Sequence, residues 1–217
     1  MMMPLLNPML VVVLLLNFFT LVTSRLPTAI YIVGFQGALI GAMPLMLHSE
    51  GEHGLWRLAL LTIITALVKG IVIPRFLLYA VREVGIQREM HPLFGFIPSV
   101  LMGLAGTILA LAFSSPLPLR STDVHLFIVP VSLSTVLTGF LLMCTRRRAI
   151  SQALGYLVLE NGIFIFGLLL VQAIPFLVEI GVLLDLFVGV FVMGIIIGHI
   201  SRGFESDSTQ HLSSLKD

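Results

Sequence analysis

Charge is scarce in this chain. Asp, Glu, Lys and Arg make up 11% of its 217 residues, against about a quarter in a soluble globular protein. The scarcity excludes a fold wetted on every side. A net charge of +1, with no basic patch beyond arginines in short loops, excludes a nucleic-acid binding face. Cysteine is nearly absent too. The single Cys144 excludes an internal disulfide and cannot by itself hold an iron–sulfur cluster. No CxxC, HExxH, GxGxxG or Walker-type stretch is found. Any redox chemistry therefore belongs to another chain, and this one is expected to carry no metal and no cofactor.

Apolar residues fill the place of the missing charge. They reach 58% of the sequence, and the mean hydropathy is +1.09. A bilayer core takes about 20 apolar residues per helix. Stretches of that kind run Leu5–Ser24, Ala29–Leu47, Leu55–Ala80, Phe94–Phe113, Val124–Met143, Ala149–Ala173 and Phe176–Ile200. The breaks between them are short and carry turn or charge chemistry, as in Arg25–Pro27, Arg82–Pro92 and Ile174–Pro175. This predicts an all-α polytopic membrane protein of about seven spans over residues 1–200, with a polar tail at 201–217. Met1–Ser24 has no positive start and no small-residue cleavage site, so it is read as a retained first span rather than a signal peptide. No internal repeat or matched pair of broken helices argues for alternating access.

Basic loop residues set the expected orientation. One side holds Arg25, Arg82, Arg88, Arg146–Arg148, Arg202 and Lys216, with Arg75 near that end of the third span; the other holds Arg57 and Arg120. The N-terminus is expected outside and the C-terminus in the cytoplasm.

Three ionisable residues lie well inside these spans. Each costs about 2.5–3.5 kcal/mol at a helix centre on insertion scales, so each needs a reason. Lys69 sits mid-helix, about 15 Å from either surface. Thr65 precedes it by one turn on the same face, and Pro74 cannot donate to the carbonyl of Gly70, which predicts an open acceptor and a kink. Glu160 is near mid-membrane in the sixth span. Tyr156 stands one turn before it, Asn161 follows it, and Gly155 and Gly162 leave room for water or a neighbour. Asp185 lies between Gly181 and Gly189 in the seventh span, and Glu179 sits at the membrane edge. Lys69, Glu160 and Asp185 are the candidate proton relay, with Thr65, Tyr156, Asn161 and Glu179 in support. The competing reading makes them static pairs that hold helices together. Ser132, Ser134, Thr135 and Thr138 give the fifth span a mild polar face. Gly37 with Gly41, and Gly103 with Gly106, mark close helix contacts. His48 and His53 lie in a loop with Glu50 and Glu52 but lack metal-ligand spacing.

The stretch from Gln152 through Tyr156, Glu160 and Asn161 to Gly162, followed by Leu177 through Glu179 and Gly181 to Asp185, resembles hydrogenase-4 component E. Lys69 with its following Pro74 and the closing His211–Lys216 segment extend the likeness to nearly the full chain. That family supplies a membrane subunit to energy-converting nickel–iron hydrogenases and formate hydrogenlyase-type complexes. Residues 145–200 also resemble the K subunit of complex I and the C subunit of multi-subunit Na⁺/H⁺ antiporters. In those proteins two successive helices carry one acid each. Glu160 fits the first acid and Asp185 the second, although the usual second acid is glutamate.

The resemblance implies a multi-pass subunit of a prokaryotic inner membrane, contributing to proton or Na⁺ translocation and docking antiporter-like subunits. The nickel–iron site and iron–sulfur clusters are then expected on peripheral partner chains. The rival expectations are a static scaffold, or an antiporter subunit with no redox partner.

Overall fold

A computed structural model describes residues 5–47, 55–83, 95–114, 125–146 and 148–168, together with Phe187 and Gly194. Among these residues every regular element is a helix. They are α1 (Leu6–Val22), α2 (Leu26–Leu47), α3 (Leu55–Leu67), a π-helical turn (Val68–Val72), α4 (Ile73–Glu83), α5 (Phe96–Ser114), α6 (His125–Thr145) and α7 (Ala149–Gly167). α3, the π turn and α4 follow one another without a break and make one span. Five helical segments are long and apolar enough to cross a membrane, and α1 is a shorter apolar helix beside them. At 1.5 Å per residue α1 is about 25 Å long and α2 about 33 Å. α1, α2, the third span, α5 and α6 each match a predicted stretch to within a few residues, and α7 starts where the sixth stretch does, the end of that stretch lying outside the described residues. The seventh stretch, Phe176–Ile200, with Asp185 and Glu179 in it, lies outside the described residues save for Phe187 and Gly194. So do His48, Glu50, Glu52, His53 and the 201–217 tail.

Large apolar side chains face outward along the described helices, as expected of a bundle solvated by lipid. Ile97 is 76% exposed, Phe113 66% and Phe19 62%. α6 and α7 form a tight antiparallel hairpin, and α2 lies against the third span. α1 touches α2, α5 and α6, while α7 closes the bundle on α2. With lipid outside, helices gain little from hiding apolar side chains, and close backbone approach takes over. A Cβ on Gly162 would lie 2.6 Å from the Val136 amide nitrogen, and one on Gly37 would lie 2.9 Å from the Lys69 Cβ. The space left by Gly155 and Gly162 is therefore taken by α6, not by water.

The buried residues fall into three layers. One apolar cluster includes Leu21, Leu26, Ile30, Leu77, Leu142 and Leu154. The other includes Leu6, Leu10, Ile40, Met43, Ile128 and Ile165. Between them each of five spans contributes buried polar groups: Asn17, Gln36, Lys69, Thr135, and the adjacent Glu160 and Asn161. The first cluster marks the arginine-bearing end. There Arg146, only 2% exposed, donates from Nη2 to the carbonyl of Leu21 at 3.3 Å. This satisfies part of the C-terminal turn of α1, where a positive charge also meets the negative end of the helix dipole. Burial pushes the Arg146 guanidinium down to about 10, so it remains charged at neutral pH.

Candidate functional site

The site begins with an irregularity in the third span. Ile73 donates its amide to the carbonyl of Val68, five residues back, where an α-helix would use the fourth. The cause is legible in Pro74. In a regular helix its ring would press on the Gly70 carbonyl, and it has no N–H to offer. The wider turn admits the ring, which packs against α2 where a Cβ on Gly34 would stand 2.5 Å from the Pro74 Cγ. The irregularity expected at Gly70 and Pro74 takes the form of one π turn, and Lys69 lies within it.

From that turn Lys69 reaches α7. Its Nζ donates to Oε1 of Glu160 at 2.8 Å, with the two residues 5% and 2% exposed. The same ammonium is 3.5 Å from Oδ1 of Asn161 and 5.3 Å from the centroid of the Phe164 ring. Phe164 is one turn after Glu160, so its ring closes the pair on one side and offers a cation–π contact.

The polar contacts continue away from the pair in a single direction. Asn161 Nδ2 donates to Oε1 of Gln36 at 3.5 Å, and Gln36 Nε2 to Oδ1 of Asn17 at 2.8 Å. Asn17 Nδ2 donates to Oγ1 of Thr135 at 2.9 Å, whose hydroxyl donates to the Val131 carbonyl at 2.7 Å. Every amide turns its oxygen toward the lysine and its nitrogen away. That polarity places successive dipoles favourably in the field of the ammonium, and such chains reinforce one another at low dielectric. The layer therefore ties α1, α2, α6 and α7 to the lysine of the third span.

Of the expected relay residues, the structure brings Lys69, Glu160 and Asn161 together. Thr65 is buried one turn from the lysine, but its hydroxyl has no hydrogen-bond partner among the described residues. Tyr156 is half-buried and packs on the apolar cluster at the arginine end. Asp185 and Glu179 lie outside the described residues. Asn17 and Gln36 were missed by sequence reasoning. The available signal was an amide well inside each of two largely apolar stretches, where an unpaired polar group is costly. Among the described residues no cluster of His, Cys, Asp and Glu has the make-up of a metal site.

The pair has a useful chemical property. Moving one proton along the 2.8 Å hydrogen bond turns ammonium and carboxylate into amine and carboxylic acid. Net charge stays zero in both forms, so the shift adds no uncompensated charge to the membrane interior.

An uncharacterized protein of Mycobacterium tuberculosis is 33% identical over 187 residues, covering 86% of this chain and 84% of the relative. Hydrogenase-4 component E of Escherichia coli is 30% identical over 152 residues, or 69% of each chain, and its Shigella flexneri counterpart matches equally. No protein-family model matches, and neither does any solved structure. With this identity over more than two thirds of both chains, and apolar helices long enough to span a bilayer, the chain is a membrane protein of the hydrogenase-4 component E family.

Proposed function

We propose that this chain is a membrane-arm subunit of a complex-I-like, energy-converting hydrogenase assembly, in which Lys69 and Glu160 form part of an ion-translocation path. The buried 2.8 Å ion pair carries the reading. A static link between two helices needs only packing in lipid, whereas a charged pair held within proton-transfer distance also allows a proton to move. The family relative named as a hydrogenase component supports membership of a larger assembly. On this reading Asp185 extends the path on a seventh span, and Glu179 stands at its edge. The N-terminus is outside, the C-terminus is in the cytoplasm, and the membrane is the prokaryotic inner membrane. The grouping of Arg82, Arg146 and Arg148 with the α1–α2 connection at one end supports that orientation.

The chain catalyses nothing alone. Antiporter-like subunits dock beside it, and the nickel–iron site and iron–sulfur clusters reside on peripheral chains. Affinity purification of the tagged chain from its native membrane tests the assembly. Recovery of hydrogenase large and iron–sulfur subunits supports the proposal, whereas antiporter subunits alone would move the chain to a complex without a redox partner. Ion pumping in vesicles by the Glu160→Gln complex tests the path.

A further inference from the structure

A narrow crevice between α2, the third span and α7 begins at Lys69 and Asn161 and runs past Leu157 to Ile30, Leu77 and Leu154. Its lining points one way. Leu77 follows Lys69 toward the Glu83 end of α4, Leu154 precedes Asn161 toward the start of α7, and Ile30 lies near the start of α2. All three approach the arginine-bearing end. Eight residues separate Lys69 from Leu77, which spans about 12 Å at the helical rise. Water-sized space along the crevice totals about 10 Å³, the threshold for a single water molecule. Ile30, Leu77 and Leu154 are each 1% exposed or less and close the far end with aliphatic side chains.

A small gap with a charged inner end and a dry aliphatic outer end has the make-up of a hydrophobic gate, which conducts when water briefly fills it. Resting on the translocation role proposed above, we infer that Lys69 exchanges protons with the aqueous phase at the arginine-bearing end through this crevice, with Ile30, Leu77 and Leu154 as its gate. In the cycle the ammonium passes a proton to the Glu160 carboxylate, leaving a neutral amine and a carboxylic acid. Once Glu160 has given that proton to the next base along the translocation path and is a carboxylate again, a hydronium arriving through the crevice protonates the amine and is left as water. Atoms and charge balance, and the dry gate prevents a standing leak between cycles.

Two variants test the route in vesicles carrying the intact complex. Leu154→Ala thins the gate and is expected to raise the resting proton leak severalfold, with the leak removed again in Leu154→Ala/Glu160→Gln. Leu154→Cys, in a Cys144→Ser background, is expected to react with a membrane-impermeant methanethiosulfonate applied at the arginine end faster during turnover than at rest. An unchanged leak together with turnover-independent labelling overturns the route; if Glu160→Gln still stops pumping, the translocation role stands and the proton enters elsewhere. Persistent pumping in Glu160→Gln overturns both the route and the role.

Discussion

Glu160 Oε1 and Lys69 Nζ, from residues 91 positions apart, meet at 2.8 Å in a polar layer with an apolar cluster on either side. Each charge alone is expensive at that depth, and together they are neutral. Removing one partner strands the other, which costs about 3–5 kcal/mol in a buried pair. Lys69→Met is therefore expected to lower thermal stability in detergent strongly, and Lys69→Met/Glu160→Gln to recover much of the loss. If the double variant loses the sum of the single effects, the two residues are not a pair.

The amide chain makes a separate prediction. Gln36→Leu leaves facing groups on Asn161 and Asn17 without their partner, at about 1–3 kcal/mol for each stranded buried group. Asn17→Leu strands the Gln36 amide nitrogen in the same way and takes one donor from Thr135, whose hydroxyl keeps its bond to the Val131 carbonyl. Because the variants break one shared network, Asn17→Leu/Gln36→Leu is expected to cost less than the sum. A double-mutant cycle on unfolding midpoints checks this, and strict additivity would mean the chain is not continuous.

Close packing at Gly162 sets a third expectation. A methyl there meets the Val136 amide at 2.6 Å, and backbone cannot swing aside as a side chain can. Gly162→Ala should cost about 1–3 kcal/mol through overpacking and loosen the α6–α7 hairpin. Gly106→Ala, whose Cβ would find only ordinary contact with Leu137 at 3.6 Å, is the control. Hydrogen exchange along α7 reads the difference.

Arg146 yields a pH expectation. Burial lowers its guanidinium to about 10, so folded and unfolded forms are both fully charged from about pH 6 to 8. Above that window the folded form gives up its proton first. The unfolded chain then holds more protons, and the Arg146 contribution to stability rises with pH. Arg146→Met is thus expected to leave the slope of stability against pH unchanged between about 6 and 8, while weakening the end of α1 through loss of the Leu21 contact. A changed slope in that window would contradict this.

Much of this architecture is legible in the sequence, for identifiable reasons. Long apolar stretches broken by arginines and prolines locate the helices, because lipid leaves the backbone few alternatives. Lys69 and Glu160 stand out because a charge inside such a stretch has few cheap explanations. Their pairing does not stand out, since it depends on the π turn and on α7 lying beside α2. Pro74 signals an irregularity but not whether the helix kinks or widens. Asn17 and Gln36 blend in, because a neutral amide carries no charge to single it out and its worth depends on what stands opposite. Arg146 reads as one of a run of topology-setting arginines, yet the fold buries it against the end of α1.

The most direct test of the central claim is ion pumping by the intact complex in sealed vesicles, with the native chain, Glu160→Gln, and Lys69→Met/Glu160→Gln compared at equal assembly. The double variant removes both charges together, so it leaves neither one stranded. Electron transfer is expected to continue in both variants while pumping collapses. Pumping at native levels in a normally assembled Glu160→Gln complex would contradict the translocation role and make the Lys69–Glu160 pair a structural tie between the third span and α7.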